Sequence, residues 1–404
     1  MLVGIVWIVA APGRGGRRAG AEQTQAAVQA TRQSATSTPY PTPDTAGSVA
    51  LRSSPIIEGV SVPIALTFTP DGLLLFAEAF EGRIRVAERT TEGWRLLPRP
   101  FVELEIAKGA ESGVLGIALD PDYARNRYVY VYYSEPDSSR ADRRPLRNRV
   151  VRFAERDGVG TAMLAIFDDI EISRTARHNA GSLRFGQDGK LYVTVGNAEV
   201  RANSQDLTRP NGKVLRLNPD GSVPADNPFP GSPVFAYGFR NPFGLAIHPG
   251  TGVPYVTENS GDSHDEVNRV IPGGNYAFPY YEGSRPPDPD AAERLLCAVR
   301  LGPCREPLPT TPFVEPLWES GPKTIGPVGI VFYTGDQIPQ FKGDLFFCAV
   351  VSGTLTRLRL GGQELDRVVA ADVQANNCQL DVSVGPDGGL YYSNMGGQII
   401  RLGP

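Results

Sequence analysis

The feature that most constrains this chain is a short unit that recurs along it. An apolar segment leads into a turn, most often Pro/Gln-Asp-Gly, and an alternating aromatic/aliphatic strand follows. The unit is legible in LTFTPDGLLLFAE (66–78), IALDPDYARNRYVYVYYS (117–134), LRFGQDGKLYVTVG (183–196), LAIHPGTGVPYVTEN (245–259) and VSVGPDGGLYYSN (382–394). A weaker copy, FKGDLFFCAV (341–350), keeps a turn without an evident strand before it. Asp-Gly supplies the positive φ that a tight hairpin needs, and alternation gives each strand one buried face. Copies marked by Asp71, Asp122, Asp188, Gly250, Asp344 and Asp387 make six. Radial repetition protects the sheet edges that an open sheet would expose. The expected fold is therefore all-β, a six-bladed β-propeller of four-stranded antiparallel blades, with a two-sheet sandwich as the alternative. Between the hairpins run GRIRVAER, RNRVVRFAE, GKVLRLNPDG, GTLTRLRLGG and GQIIRLGP, whose arginines read as belonging to outer strands facing water.

Composition agrees with this. The chain has 45 Gly, 36 Pro and only 3 Met, which disfavours a helical protein. A net charge of −4 carries no basic footprint for nucleic acid or an anionic membrane surface. At the N-terminus, Leu2–Ala11 is an apolar run shorter than the roughly 20 residues of a membrane span. It reads as an export signal or anchor lacking the usual preceding Lys or Arg; a short buried strand is the alternative. Gly13 to about Ser54 is rich in Ala, Gln, Thr, Ser and Pro, too poor in apolar surface to offset ordering entropy. The expected organisation is thus residues 1–54 as signal and linker and 55–404 as propeller, in an extracytoplasmic location. The four cysteines suit that compartment. The simplest of three pairings joins Cys297 to Cys304 and Cys348 to Cys378; metal binding is a weaker rival without Cys-x-x-Cys.

Three constellations can carry chemistry. His178, in TARHNAGSLRFG, precedes a hairpin within a polar cluster and has a side chain suited to general-base work. Arg240 and Asn241 stand before Pro242, which holds Asn241 extended; a planar fork beside an amide suits a planar, carbonyl-rich ligand. Glu258, Asp262, Asp265 and Glu266 crowd one stretch with Asn259, Ser260 and Gly261, giving the hard oxygen donors that calcium takes. Each has a plain structural alternative: a hydrogen-bonded surface His, a turn with Arg paired to a carboxylate, a solvated acidic loop.

The ordered segments RHNAGSLRFGQDGKLYV, SQDLTRPNGKVLRLNPDGSVPADNPF, VFAYGFRNPFGLAIHP and ENSGDSHDEVNRVIPGGNYAFP resemble the glucose/sorbosone dehydrogenase family. These are the soluble pyrroloquinoline-quinone (PQQ) sugar dehydrogenases and their relatives, six-bladed propellers. The resemblance runs from about residue 56 to the end. It implies oxidation of a sugar or related alcohol at C1 by hydride transfer to calcium-bound PQQ, with an external electron acceptor. It further implies that His178 is the base, that Arg240 and Asn241 bond the quinone oxygens, and that Ser260 and Gly261 offer carbonyls to calcium. Asp265, Glu266 and Tyr276 fall in the same calcium-binding region.

Departures from the pattern are equally specific. Where the family carries Asp to orient the base, this chain has Asn197, which cannot stabilise an imidazolium as a carboxylate does. Glu111 stands near the second blade in place of a family Gln. Before the final hairpin, Cys378 and Leu380 take places where active enzymes put Arg to grip PQQ carboxylates. Lys342 reads as lying on the wrong strand, while Lys323 or an Arg of the long Pro-rich insertion could compensate. The alternatives are a non-catalytic carbohydrate- or protein-binding propeller and, third, a calcium-dependent lactonase.

Overall fold

The computed structural model describes residues 50–280, 282–283 and 313–404. The export segment, most of the linker, Cys297, Cys304 and most of the long insertion lie outside the described residues. Among the described residues twenty-five strands form six antiparallel sheets. The first blade holds β2 (Pro63–Phe68), β3 (Leu74–Glu78), β4 (Arg83–Thr90) and β5 (Gly93–Leu96), with β6 (Val102–Glu103) also on β4. The second holds β7 (Val114–Leu119), β8 (Tyr128–Pro136), β9 (Pro145–Arg156) and β10 (Val159–Ile170). The third holds β11 (Ala180–Phe185), β12 (Leu191–Val195), β13 (Lys213–Leu217) and β14 (Val234–Tyr237). The fourth comprises β15 (Pro242–Ile247), β16 (Pro254–Glu258), β17 (Glu266–Arg269) and β18 (Trp318–Glu319). The fifth comprises β19 (Pro327–Phe332), β20 (Leu345–Ala349), β21 (Thr354–Gly361) and β22 (Arg367–Asn376). The sixth takes β23 (Val382–Val384), β24 (Leu390–Ser393) and β25 (Ile399–Gly403), then closes with β1 (Arg52–Ile57). The first strands of successive blades pack against one another in order, and β23 returns to β2, so the ring is complete.

Closure corrects the expected boundary. Arg52, Ser53 and Ser54 pair with Gly403, Leu402 and Arg401, so the apparent end of the linker is the outer strand of the last blade. The Asp-Gly turns sit where the sequence places them, with φ of 90° at Gly72, 70° at Gly189 and 77° at Gly388. At Asp122 the turn is instead a helical turn, Tyr123–Asn126. The weak fifth copy does have its preceding strand, β19; the loop 333–344 and a short helical turn at Pro339–Phe341 hide the hairpin in the sequence.

The arginine-rich segments are third strands, not outer ones, and their best-placed arginines point inward. Arg216 Nε donates to Asp188 Oδ2 at 2.9 Å while Tyr192 Oη donates to the same oxygen. Arg401, Asp387 and Tyr391 repeat that triad in the last blade. The hairpin Asp therefore does two jobs: one oxygen shapes the turn, the other neutralises a half-buried guanidinium.

Cys348, on β20, is bonded to Cys378, which precedes β23, so the fifth and sixth blades are stapled together. With a sequence separation of 30 between them, loop-closure entropy puts the bond at about 3–4 kcal/mol. Cys348→Ser/Cys378→Ser is expected to lose that much in a urea titration, with little change in the slope.

Candidate functional site

Antiparallel alternation sorts the connections into two faces. Turns from first to second strand, including the Asp-Gly turns, lie at one end of the ring. Connections entering first strands, and those from second to third strands, lie at the other. Glu111 precedes β7, His178 precedes β11, and Arg240–Asn241 precede β15; Asn197 follows β12 and Ser260–Asp265 follow β16. The fold thus gathers these residues on the face opposite the Asp-Gly turns. Ile64, Leu115, Arg184, Phe243 and Asp381, on or next to the first strands, line a small cavity of about 20 Å³. A larger cavity of about 400 Å³ lies elsewhere, between the first two blades, and no candidate residue lines it.

His178 adopts φ 56°, a conformation held by Glu111, whose Oε2 accepts the His178 backbone N–H at 2.8 Å. Glu111 is thereby a clamp on His178, and burial pushes its carboxyl above the usual range. Asn197 Oδ1 lies 2.8 Å from His178 Nδ1 and also accepts the Glu199 backbone N–H at 3.0 Å. The second bond identifies that atom as the amide oxygen, so Nδ1 carries the proton and Nε2 keeps its lone pair. Burial and the nearby Arg240 cation bring the imidazole down to about 4. His178 is a neutral base at any ordinary pH, with the tautomer fixed by an amide where the family pattern has a carboxylate.

Arg240 and Asn241 are fixed through their backbones. Both N–H groups donate to Glu258 Oε1, at 2.9 and 2.8 Å, and the Arg240 carbonyl accepts Asn197 N–H at 2.8 Å. Arg240 Nη1 donates to the Asn259 carbonyl, and Asn241 Oδ1 accepts Ala180 N–H. Gly196 permits this convergence: a Cβ there would stand 2.0 Å from the His178 carbonyl oxygen. Glu258, read from the sequence as part of an acidic loop, is instead a buried strand residue beneath the pair. Among the described residues its Oε2 has no hydrogen-bond partner, and burial raises its carboxyl well above the ordinary range.

The 260–276 region separates into different roles. Asp265 is fully buried; its Oδ1 accepts Ser260 N–H and its Oδ2 accepts Thr324 Oγ1–H and the N–H groups of Ile325 and Gly326. Both oxygens are therefore engaged by the protein itself. Tyr276 Oη donates to the Arg269 carbonyl and accepts Ile271 N–H, and its ring stacks on Phe239 at 4.4 Å. Glu266 accepts from Asn268 and Gly283, and burial brings it up to about 7. Ser260 Oγ closes the turn by donating to the His264 carbonyl, and Gly261 N–H points to Glu282. Among the described residues no group of three or more His, Cys, Asp or Glu side chains could hold a metal ion. Any ion here would depend on backbone carbonyls such as those of Ser260 and Gly261.

In the last blade Cys378 and Leu380 are buried, with Cys378 in the disulfide and Leu380 at 4% exposure. Lys342 pairs with Asp336 on the opposite face, so neither supplies a cation to the mouth. Lys323 is exposed on the segment that Asp265 anchors.

A six-bladed propeller with a neutral imidazole, an Arg-Asn pair and a carbonyl-bearing turn on one face defines the class. The family model for glucose/sorbosone dehydrogenase matches residues 60–401, and the chain belongs to that family. It is 25% identical over 359 residues to aldose sugar dehydrogenase YliI of Escherichia coli (strain K12), covering 85% of this chain and 90% of the relative. It is 29% identical over 253 residues to quinoprotein glucose dehydrogenase B of Acinetobacter calcoaceticus, covering 56% and 52%. The PQQ-bound aldose sugar dehydrogenase of Streptomyces coelicolor superposes with a TM-score of 0.69 at 26% identity, covering 88% of this chain and 98% of that one.

Proposed function

We propose that this protein is a quinoprotein aldose dehydrogenase: an extracytoplasmic oxidoreductase that oxidises a sugar or related alcohol at C1. The observation that carries the reading is the fixed tautomer of His178 beside Arg240, a base and a cation held together by Gly196, Asn197 and Glu258. Relatives named as PQQ-bound or quinoprotein sugar dehydrogenases support it. Bound PQQ would supply the two-electron acceptor for hydride, with calcium as its counter-ion. Arg240 and Asn241 fit the quinone end: a guanidinium and an amide suit two adjacent carbonyl oxygens and would stabilise negative charge there. The carbonyls of Ser260 and Gly261 are the candidate calcium donors, with Glu266 as a carboxylate close by. His178 Nε2 would take the hydroxyl proton as the C1 hydrogen leaves. The Cys348–Cys378 bond supports an extracytoplasmic compartment, because disulfides persist where the milieu is oxidising.

The apolar last blade favours a second reading, a propeller that binds carbohydrate or protein without catalysis. Reduction of an artificial electron acceptor by purified protein, PQQ, calcium and an aldose separates the two; sugar binding without reduction leaves only the second. Asn197→Asp is a sharper probe of the first. A carboxylate facing Nδ1 stabilises the imidazolium, so His178 should titrate higher. The acid limb of kcat/KM is expected to move up by about one unit and turnover to rise about tenfold.

A further inference from the structure

Lys213 opens β13 with its side chain wholly buried, and the site described so far does not use it. Its Nζ donates to three backbone carbonyls, those of Asn203 at 2.5 Å, Asn211 at 2.7 Å and Ser204 at 3.2 Å. Three oxygens around one buried ammonium form a cation cage, made by the loop 197–212. An ammonium has three hydrogens and matches that count. A Lys without a partner carboxylate in contact is rarely so buried; among the described residues, Asp206 is the carboxylate that acts on it, from a distance.

The cage lies directly under the chemistry. Lys213 pairs with Val195 on one side and Tyr237 on the other, the strand residues just before Gly196–Asn197 and just before Gly238–Arg240. Every caged residue reaches onward. Asn203 Nδ2 donates to the Asn197 carbonyl at 3.1 Å, and Asn211 Nδ2 donates to the Gly196 carbonyl at 3.2 Å. Ser204 accepts Gly238 N–H and donates its hydroxyl to the Phe239 carbonyl at 2.6 Å. One branch therefore ends at the partner of His178 and the other at the backbone of Arg240.

We propose that Lys213 is a positioning residue, an internal cation that organises loop 197–212 and so sets the placement of Asn197 against His178 and of Arg240 beside them. Burial brings the ammonium down to about 7, whereas the three-carbonyl cage favours the charged form. Lys213 touches neither substrate nor cofactor in this account. It acts through Asn203, Asn211 and Ser204.

The proposal deepens the reading of His178 as base, yet its test runs on cofactor-free protein, so failure of PQQ to bind would leave it intact. The chain has three histidines, which makes histidine-selective NMR practical, and His248 on the Asp-Gly face is the internal control. His178 is surrounded by Arg240, Arg177, Glu111 and Glu199. Lys213→Met keeps the length and removes the charge. Loosening the loop admits water to the imidazole, so His178 should titrate at least one unit higher while His248 is unmoved. An unchanged His178 titration in folded Lys213→Met overturns the proposal. Should that variant not fold, Asn203→Ala cuts the branch to Asn197 and leaves the cage carbonyls in place. The same selective rise is expected from it, and its absence is equally fatal.

Discussion

His178→Ala is expected to lower turnover of the quinone-loaded protein by about 10³-fold, the middle of the range for a positioned general base, while the thermal midpoint at neutral pH barely changes. The fold tolerates the loss because Asn197 Oδ1 keeps the Glu199 N–H when the imidazole is gone. A pH series makes the assignment sharper. The imidazole titrates near 4 in the folded protein against 6.5 when free. Protonation therefore favours the unfolded chain, and the wild type loses stability as pH falls from 6.5 towards 4, by an amount on the order of 3 kcal/mol. The alanine variant lacks that group and should lose correspondingly less over the same interval, measured by urea unfolding at each pH. Equal acid sensitivity in the two proteins would mean that His178 is not held neutral by its surroundings.

Asp265→Ala should have the largest effect on stability, about 4 kcal/mol. The carboxylate accepts the N–H groups of Ser260, Ile325 and Gly326 and the hydroxyl of Thr324. Removing it strands buried donors at about 1–3 kcal/mol each, partly relieved by water. Chelation provides the contrast. If Asp265 is a structural tie between the 260–265 turn and the entry to the fifth blade, treating the wild type with a chelator leaves this stability in place. A matching loss on chelation would return Asp265 to the ion's shell.

These two residues also show what a sequence discloses. The hairpins are legible because Asp-Gly states a local requirement, positive φ at a turn, met at Gly72, Gly189 and Gly388, and six copies of the surrounding unit imply a ring. His178, Arg240 and Asn241 are legible as candidates because few residue types can play the parts proposed for them. Asp265 and Glu258 are not, since a carboxylate near Gly and Ser reads alike whether it faces an ion, solvent or a row of backbone N–H groups. The partners that settle the matter are at 320–326 for Asp265 and at 240–241 for Glu258. Lys213 passes unnoticed for the same reason, its cage being built of carbonyls that every residue has. The arginines of the third strands misled because charge suggests water, and only the fold puts Asp188 and Asp387 within reach of Arg216 and Arg401. Cys348 and Cys378 were easier, each lying beside a strand of adjoining blades.

The central claim is that the mouth bearing His178 and Arg240 holds a quinone-dependent sugar-oxidising site despite the apolar last blade at Cys378 and Leu380. The most direct measurement is titration of metal-stripped protein with PQQ in the presence of calcium, following the cofactor's absorbance and then dye reduction on adding an aldose. The account predicts saturable binding that Arg240→Ala weakens, and sugar-dependent reduction that His178→Ala removes. No saturable binding of PQQ at any calcium concentration would contradict it.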